Sequence, residues 1–105
     1  MKKTVLHIDM SVSKAVLVEL SSDNTVLAKR EAHDTASVQP LLILIESVLS
    51  ENGLTLSDLT EITTMQGPGS YTGLRVGLAV ANTLGTLLVI PVNGLPVGKA
   101  GEKDS

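Results

Sequence analysis

Short β-rich runs of apolar residues separated by polar turns open the chain, and the period then changes to a helical one. Thr4 to Asp9 is β-rich, with Val5, Leu6 and Ile8 as its apolar residues, and ends on an acid. Met10 to Ser13 reads as a turn, and Lys14 to Leu20 (KAVLVEL) as a second strand. Ser21-Ser22-Asp23-Asn24 has turn chemistry, and Thr25 to Arg30 follows as a third strand. Short β-rich runs separated by Ser, Asp and Asn are the pattern of an antiparallel meander.

From Ser37 to Glu51 the period becomes helical, with apolar residues at Val38, Leu41, Leu42, Ile45, Val48 and Leu49. Such spacing lines one face of an α-helix. Pro40 falls in its first turn, where proline is tolerated, and Asn52-Gly53 supplies a C-terminal cap. Ser57 to Leu59 reads as a short turn and Glu61 to Gln66 as a strand. Gly67-Pro68-Gly69-Ser70 breaks that strand, and Ser70 or Thr72 can cap the long helix that follows from Tyr71 to Leu88. Leu88 to Asn93 is a last apolar run with strand character, closed by Gly94.

The predicted order is βββ-α-β-α-β over one domain, residues 1–94, with a polar, flexible tail over 95–105. This is an α/β fold: a mixed five-stranded sheet with crossover helices, the order of a ribonuclease H-like lobe in the actin-like ATPase superfamily.

The helices carry more apolar surface than one sheet face needs. A wheel of the first centres on Val38, Leu42, Ile45 and Leu49 and leaves Ile43 and Leu44 roughly 100–150° away. In the second, Leu74, Leu78, Ala81 and Leu88 form one face. Val76, Val80, Thr83 and Leu87 form a nearly opposite one, and Arg75 is the lone charge. Gly73, Gly77, Ala81 and Gly85 recur every fourth position; small residues at that spacing permit close backbone approach despite their helical cost. Two readings follow. Either the surplus surface, including Ile43, Leu44, Val76, Val80, Thr83 and Leu87, meets a partner in a homodimer or heterodimer, or helix two is sandwiched within a monomer and the remaining leucines are ordinary surface residues.

The chain has 105 residues, 43% hydrophobic and 18% charged, with no cysteine. It therefore lacks a disulfide framework, a thiolate metal site and a cysteine nucleophile. A net charge of -3 and a single aromatic residue, Tyr71, argue against direct nucleic-acid binding, which favours basic patches and stacking platforms. The basic, Asp-interrupted N-terminus is too short in apolar residues for a signal peptide, and the run near Leu84 to Val92 is too short to span a bilayer. The expectation is a soluble, cytoplasmic protein with no membrane association.

Candidate chemistry is concentrated in two places. Asp9, with Ser11 and Ser13 beyond it, ends the first strand and suits a magnesium-phosphate unit; the alternatives are a solvated strand-end aspartate or one paired with Arg75 or Lys14. Gln66 to Arg75 is a strand-loop-helix junction whose amides suit an anion. It matches neither G-x-x-x-x-G-K-[ST] nor G-x-G-x-x-G, and its glycines equally serve a sharp turn. Asp9, Ser11, Gly67, Gly69, Ser70, Thr72 and Arg75 are thus the candidate phosphate- or nucleotide-facing residues. His7 and His33 form no metal-ligand pair, so no metal site and no catalytic residue is assigned.

These segments together resemble a known family. Ile8-Asp9 with a hydroxyl-bearing turn, the meander, PLLILIESVL and then QGPGSYTGLRVGLAVANTLG are similar to the N-terminal lobe of TsaB (YeaZ), from about Thr4 to Gly94. The resemblance implies a non-catalytic partner in tRNA N6-threonylcarbamoyladenosine (t6A37) modification. In that role it would dock through its two helices on a TsaD-type catalytic subunit, with a TsaE-like ATPase as a further partner and tRNA met only indirectly. Alone, it would pair with itself. Because the superfamily holds nucleotide between two lobes, no cofactor is implied for this chain by itself, and ATP with magnesium only at a partner interface. The alternatives are an actin-like ATPase or kinase fragment using Asp9 and the Gly67–Gly73 loop, or a truncated product without independent activity.

Overall fold

A computed structural model describes residues 2–95. Beyond Leu95, the tail expected over 95–105 lies outside the described residues. Four strands and two α-helices appear in the order β1 (Thr4–Asp9), β2 (Ala15–Ser22), β3 (Thr25–His33), α1 (Val38–Ser50), β4 (Glu61–Thr64) and α2 (Tyr71–Leu88), with a 3-10 turn at Leu56–Asp58 before β4.

The sheet order is β3-β2-β1-β4. β1 pairs antiparallel with β2, Leu6 opposite Leu20 and Asp9 opposite Leu17, and parallel with β4, Leu6 opposite Ile62. Asp23 and Asn24 both take positive φ, 50° and 69°. Both are residues that tolerate this conformation, and together they make the tight two-residue turn that joins β2 to β3. The expected four-residue connection is thereby shortened, and β2 runs on to Ser22.

Alternation decides which side of the sheet is covered. Leu6, Ile8 and Met10 of β1, Val16, Val18 and Leu20 of β2 and Ile62 of β4 are buried. They lie under the helices, α1 over β2 and β3, α2 over β4 and β1. The intervening residues, among them Val5, His7, Asp9, Leu17, Glu19 and Thr63, form a second, half-exposed face.

The helix phases differ from the wheel reading in instructive ways. α1 buries Leu41, Ile45, Val48 and Leu49, whereas Val38 and Leu42, expected at the centre of its buried stripe, are 46% and 44% exposed. Leu44, expected outside, packs against the core. Five consecutive apolar residues leave the rotation of the helix to be set by what lies beneath it. The α2 stripe of Gly73, Gly77, Ala81 and Gly85 is the sheet-facing surface. A Cβ on Gly77 would meet Ile8 and Met10, and one on Gly85 would meet Val92. The close approach read from these small residues is thus made by the chain's own sheet.

The fifth strand is reduced to one bridge. α2 claims Leu88, and Val89 ends the helix in the left-handed conformation, φ 56°. The Ile90 amide returns to the Gly85 carbonyl at 3.0 Å, and Pro91 has no amide hydrogen to offer. Val92 forms the bridge to β4, as a parallel partner of Ile62, and pairs again with Leu95; the Ile62 amide donates to the Pro91 carbonyl at 3.1 Å and the Ile62 carbonyl accepts from the Asn93 amide at 2.9 Å. The junction is clamped by Asn93. Its Oδ1 accepts from the Thr64 amide at 2.7 Å and its Nδ2 donates to Thr64 Oγ1 at 2.9 Å.

Candidate functional site

The tip of the β1–β2 connection and the loop from β4 into α2 meet at one end of the sheet. β1 carries Asp9 to the strand end on the half-exposed face. There Asp9 Oδ1 accepts from the Ser11 amide at 2.9 Å and the Ser11 hydroxyl at 2.6 Å. The Ser11 carbonyl in turn accepts from the Ser70 amide at 2.6 Å. Gly69 lies so close that a Cβ there would stand 2.5 Å from the Ser11 carbonyl oxygen, and a Cβ on Gly73 would stand 2.0 Å from that of Met10. Gly67 takes φ 112°, a conformation that favours glycine. The glycines of the motif therefore serve contact and turn geometry.

Ser70 is the N-cap of α2, its hydroxyl accepting from the Gly73 amide at 3.4 Å, so the Ser70 reading holds and Thr72 is not the cap. The Ser70 and Gly73 amides are thus both engaged within the chain. Of the seven candidate residues, Asp9, Ser11, Gly69 and Ser70 are joined directly in this chain of contacts. Thr72 and Arg75 are elsewhere: they line a hollow on the helix side with Val38, Tyr71, Val76 and Ala79. Arg75 donates to Tyr71 Oη at 3.3 Å and its guanidinium lies 5.4 Å from the centroid of that ring. Asp9 is not its partner, nor that of Lys14; among the described residues neither cation forms an ion pair.

Burial alone would raise the Asp9 carboxyl. The two Ser11 donors and nearby His7 outweigh burial and hold it below the ordinary carboxylate value. A depressed folded pKa means that the ionised group stabilises the fold above its unfolded pKa of ~3.9, and that this contribution fades as pH falls through the folded value. Asp9→Asn abolishes that titration. The midpoint of urea unfolding should therefore fall more steeply for the parent than for the variant between about pH 5 and pH 3; parallel curves would dispose of the assignment.

Sequence reading did not anticipate the surroundings of Asp9. Its hollow, 430 Å³ in volume, is lined also by Ser13, Lys14, Glu31, His33 and Asp34, brought together by the register of β2 and β3. No three His, Cys, Asp or Glu residues among those described are grouped to hold a metal ion. The other histidine, His7, shares a 2.7 Å hydrogen bond with Thr63 Oγ1 on β4. No helix of the described residues is long and apolar enough to cross a membrane.

The residues expected at a partner interface divide by exposure. Ile43 and Leu87 are 56% and 73% exposed. Thr83 is exposed, its hydroxyl bonded to the Ala79 carbonyl. Leu44 and Val76 are half-buried. Val80, at 8% exposure, belongs to the core and is removed from the candidate surface. The two faces assigned to α2 were not opposite in effect, because Val80 lies on the shoulder that turns toward the sheet. Val38 and Leu42, expected at the buried centre of α1, are exposed instead, as is Tyr71. The Tyr71–Arg75 contact was foreshadowed by their i, i+4 spacing.

Comparison with known proteins places this geometry in context. A family model described as TsaD, tRNA N6-adenosine threonylcarbamoyltransferase, matches residues 25–98. The tRNA threonylcarbamoyladenosine biosynthesis protein TsaB of Escherichia coli K12 is 32% identical over 91 residues, 87% of this chain and 39% of that protein. TsaB of Bacillus subtilis is 31% identical over 97 residues, 88% of this chain and 40% of the relative. The structure of YeaZ from Pseudomonas aeruginosa superposes with a TM-score of 0.75 at 30% identity, covering 86% of this chain and 42% of the other. The fold is accordingly an α/β fold of the actin-like, ribonuclease H-like type, and the chain spans about two-fifths of the length of the relatives it matches.

Proposed function

This chain belongs to the TsaD-type threonylcarbamoyltransferase family and within it to the TsaB/YeaZ proteins, and we propose that it serves t6A modification of tRNA as a docking subunit without chemistry of its own. The observation that carries this reading is the uncovered side of the two helices. Val38 of α1 shares a hollow with half-buried Val76 and exposed Ala79 of α2, and Leu42, Ile43 and Leu87 are exposed on the same two helices. Exposed apolar side chains gathered on two neighbouring helices favour a protein contact. Its occupant in the functional complex is a TsaD-type catalytic subunit. A TsaE-like ATPase joins the same assembly, and tRNA is reached through these partners.

The Asp9 end of the sheet fits the same reading. The Ser70 and Gly73 amides are engaged by the Ser11 carbonyl and the Ser70 hydroxyl, which supports a reading in which this chain holds no nucleotide by itself and ATP with magnesium belongs to a partner interface.

The test is capture by a tagged TsaD-type subunit from the same cell. The parent should be retained and Ile43→Asp should be lost, with a circular dichroism spectrum unchanged because Ile43 is exposed. Equal retention of both would remove the helix face from the interface. Failure to retain the parent would remove the docking role itself.

A further inference from the structure

Asparagine stands directly before glycine at two places, Asn52-Gly53 and Asn93-Gly94. The pair carries a chemistry of its own. A following residue without a side chain lets its amide nitrogen approach the asparagine side chain closely. Once deprotonated, that nitrogen attacks the side-chain carbonyl carbon, the carbon–nitrogen bond of the side-chain amide breaks, and ammonia leaves. Water then opens the five-membered imide at either carbonyl, giving aspartate or isoaspartate. Water is the co-reactant, and no oxidant, reductant or metal takes part. The two sites differ in how the fold holds the reacting atoms.

Asn93 is held by another strand. Its Oδ1 accepts from the Thr64 amide at 2.7 Å, its Nδ2 donates to Thr64 Oγ1 at 2.9 Å, and its own amide donates to the Ile62 carbonyl at 2.9 Å. Thr64 is itself buried, so freeing this side chain means parting the Val92–Leu95 turn from β4. Asn52 is held by its own helix end. Its Nδ2 donates to the Val48 carbonyl at 2.9 Å, its amide to the Leu49 carbonyl at 3.0 Å, and the Gly53 amide to the Ser50 carbonyl at 3.1 Å. All three acceptors lie in the last turn of α1. Gly53 is exposed, and a Cβ there would meet nothing within 4 Å. Helix ends fray at far less cost than a strand leaves its sheet. One such opening releases the Gly53 nitrogen and the Asn52 side chain together.

We propose that Asn52 is a site of spontaneous deamidation in the folded protein, and that the Thr64 clamp exempts Asn93. The consequence falls on the end of α1. A carboxylate has no hydrogen to give the Val48 carbonyl. It also adds negative charge where the helix dipole already ends negative and where Glu51 is the preceding residue. Isoaspartate further lengthens the backbone by one carbon at the turn that leads into Leu54, which packs against the core. The converted protein therefore unfolds at lower urea concentration than the unconverted one.

Incubation of the full chain in warm, mildly alkaline buffer, followed by peptide mapping with mass spectrometry, tests this. In native buffer position 52 should convert at least about tenfold faster than position 93, since it needs only a local opening. In concentrated urea the two should convert at comparable rates, because the fold no longer distinguishes them. Thr64→Ala removes the hydroxyl that holds Asn93 Nδ2 and should speed conversion at position 93 while leaving position 52 as in the parent. Thr64→Ser keeps the hydroxyl and should leave position 93 slow. The urea midpoint of the incubated parent should fall, and that of incubated Asn52→Gln should not. Equal native rates at the two positions, a faster position 93, or a position 52 that stays intact in native buffer while it converts in urea would each overturn the assignment. Should Thr64→Ala fail to fold, both positions convert as in urea, and the native-against-urea comparison of the parent still decides.

Discussion

Gly73→Ala should destabilise the protein by about 3 kcal/mol, whereas Gly77→Ala, one turn further along α2, should leave it unchanged or gain up to about 1 kcal/mol. In an exposed helix both substitutions would be favourable, because alanine loses less backbone freedom than glycine. Here the two positions differ in what lies against them. A Cβ on Gly73 would stand 2.0 Å from the Met10 carbonyl oxygen and 3.2 Å from its carbon, and neither can move without shifting the end of β1. A Cβ on Gly77 would find Ile8 Cγ2 at 3.4 Å, an ordinary contact. Urea titrations followed by far-ultraviolet circular dichroism separate the cases, provided the denaturant slope is unchanged. Midpoints moving in the same direction by similar amounts would show that α2 is not seated on Met10 as described.

Val80→Asp should abolish the fold, while Thr83→Asp should retain it. Val80 is packed with Ala81 and Leu84 in the common core. A carboxylate placed there has no partner, and a buried unpaired charge costs about 3–5 kcal/mol, a large share of the 5–15 kcal/mol typical of a domain's stability. Thr83 is exposed and keeps only a hydroxyl bond to its own helix, so its loss is small. Under the docking proposal, Thr83→Asp still weakens capture by the catalytic partner. Melting curves and capture, run on the same preparations, discriminate. A Val80→Asp protein that melts like the parent would return Val80 to the outer surface.

Part of this was legible in the chain. The strands Thr4–Asp9 and Lys14–Leu20 and the turn at Asp23-Asn24 were legible from β-rich runs and turn residues, but the covered face of β2 was not, since Ala15 to Val18 are all apolar. The small residues of α2 announced a close approach. They did not say to what, since a glycine stripe reads the same against a sheet and against another molecule. The rotation of α1 was hidden because Leu41 to Ile45 are all apolar, and the hydrophobic stripe becomes visible only when β2 and β3 select Leu41, Ile45 and Val48. The strand expected over Leu88 to Asn93 illustrates how a short apolar run fails to distinguish a helix end from a strand. The left-handed Val89 and the missing Pro91 amide settled the matter locally. At the candidate site, local sequence located Asp9, Ser11 and Ser70 but not the contact of Ser11 with Gly69 and Ser70, which depends on two distant loops reaching the same end of the sheet.

The seat of Gly73 and Gly69 on the carbonyls of Met10 and Ser11 leaves no slack between the start of α2 and the hairpin tip that bears Asp9. Any side chain added at either glycine would push the hairpin tip away from the helix, so the spacing between Asp9 and the first turn of α2 is set by backbone meeting backbone.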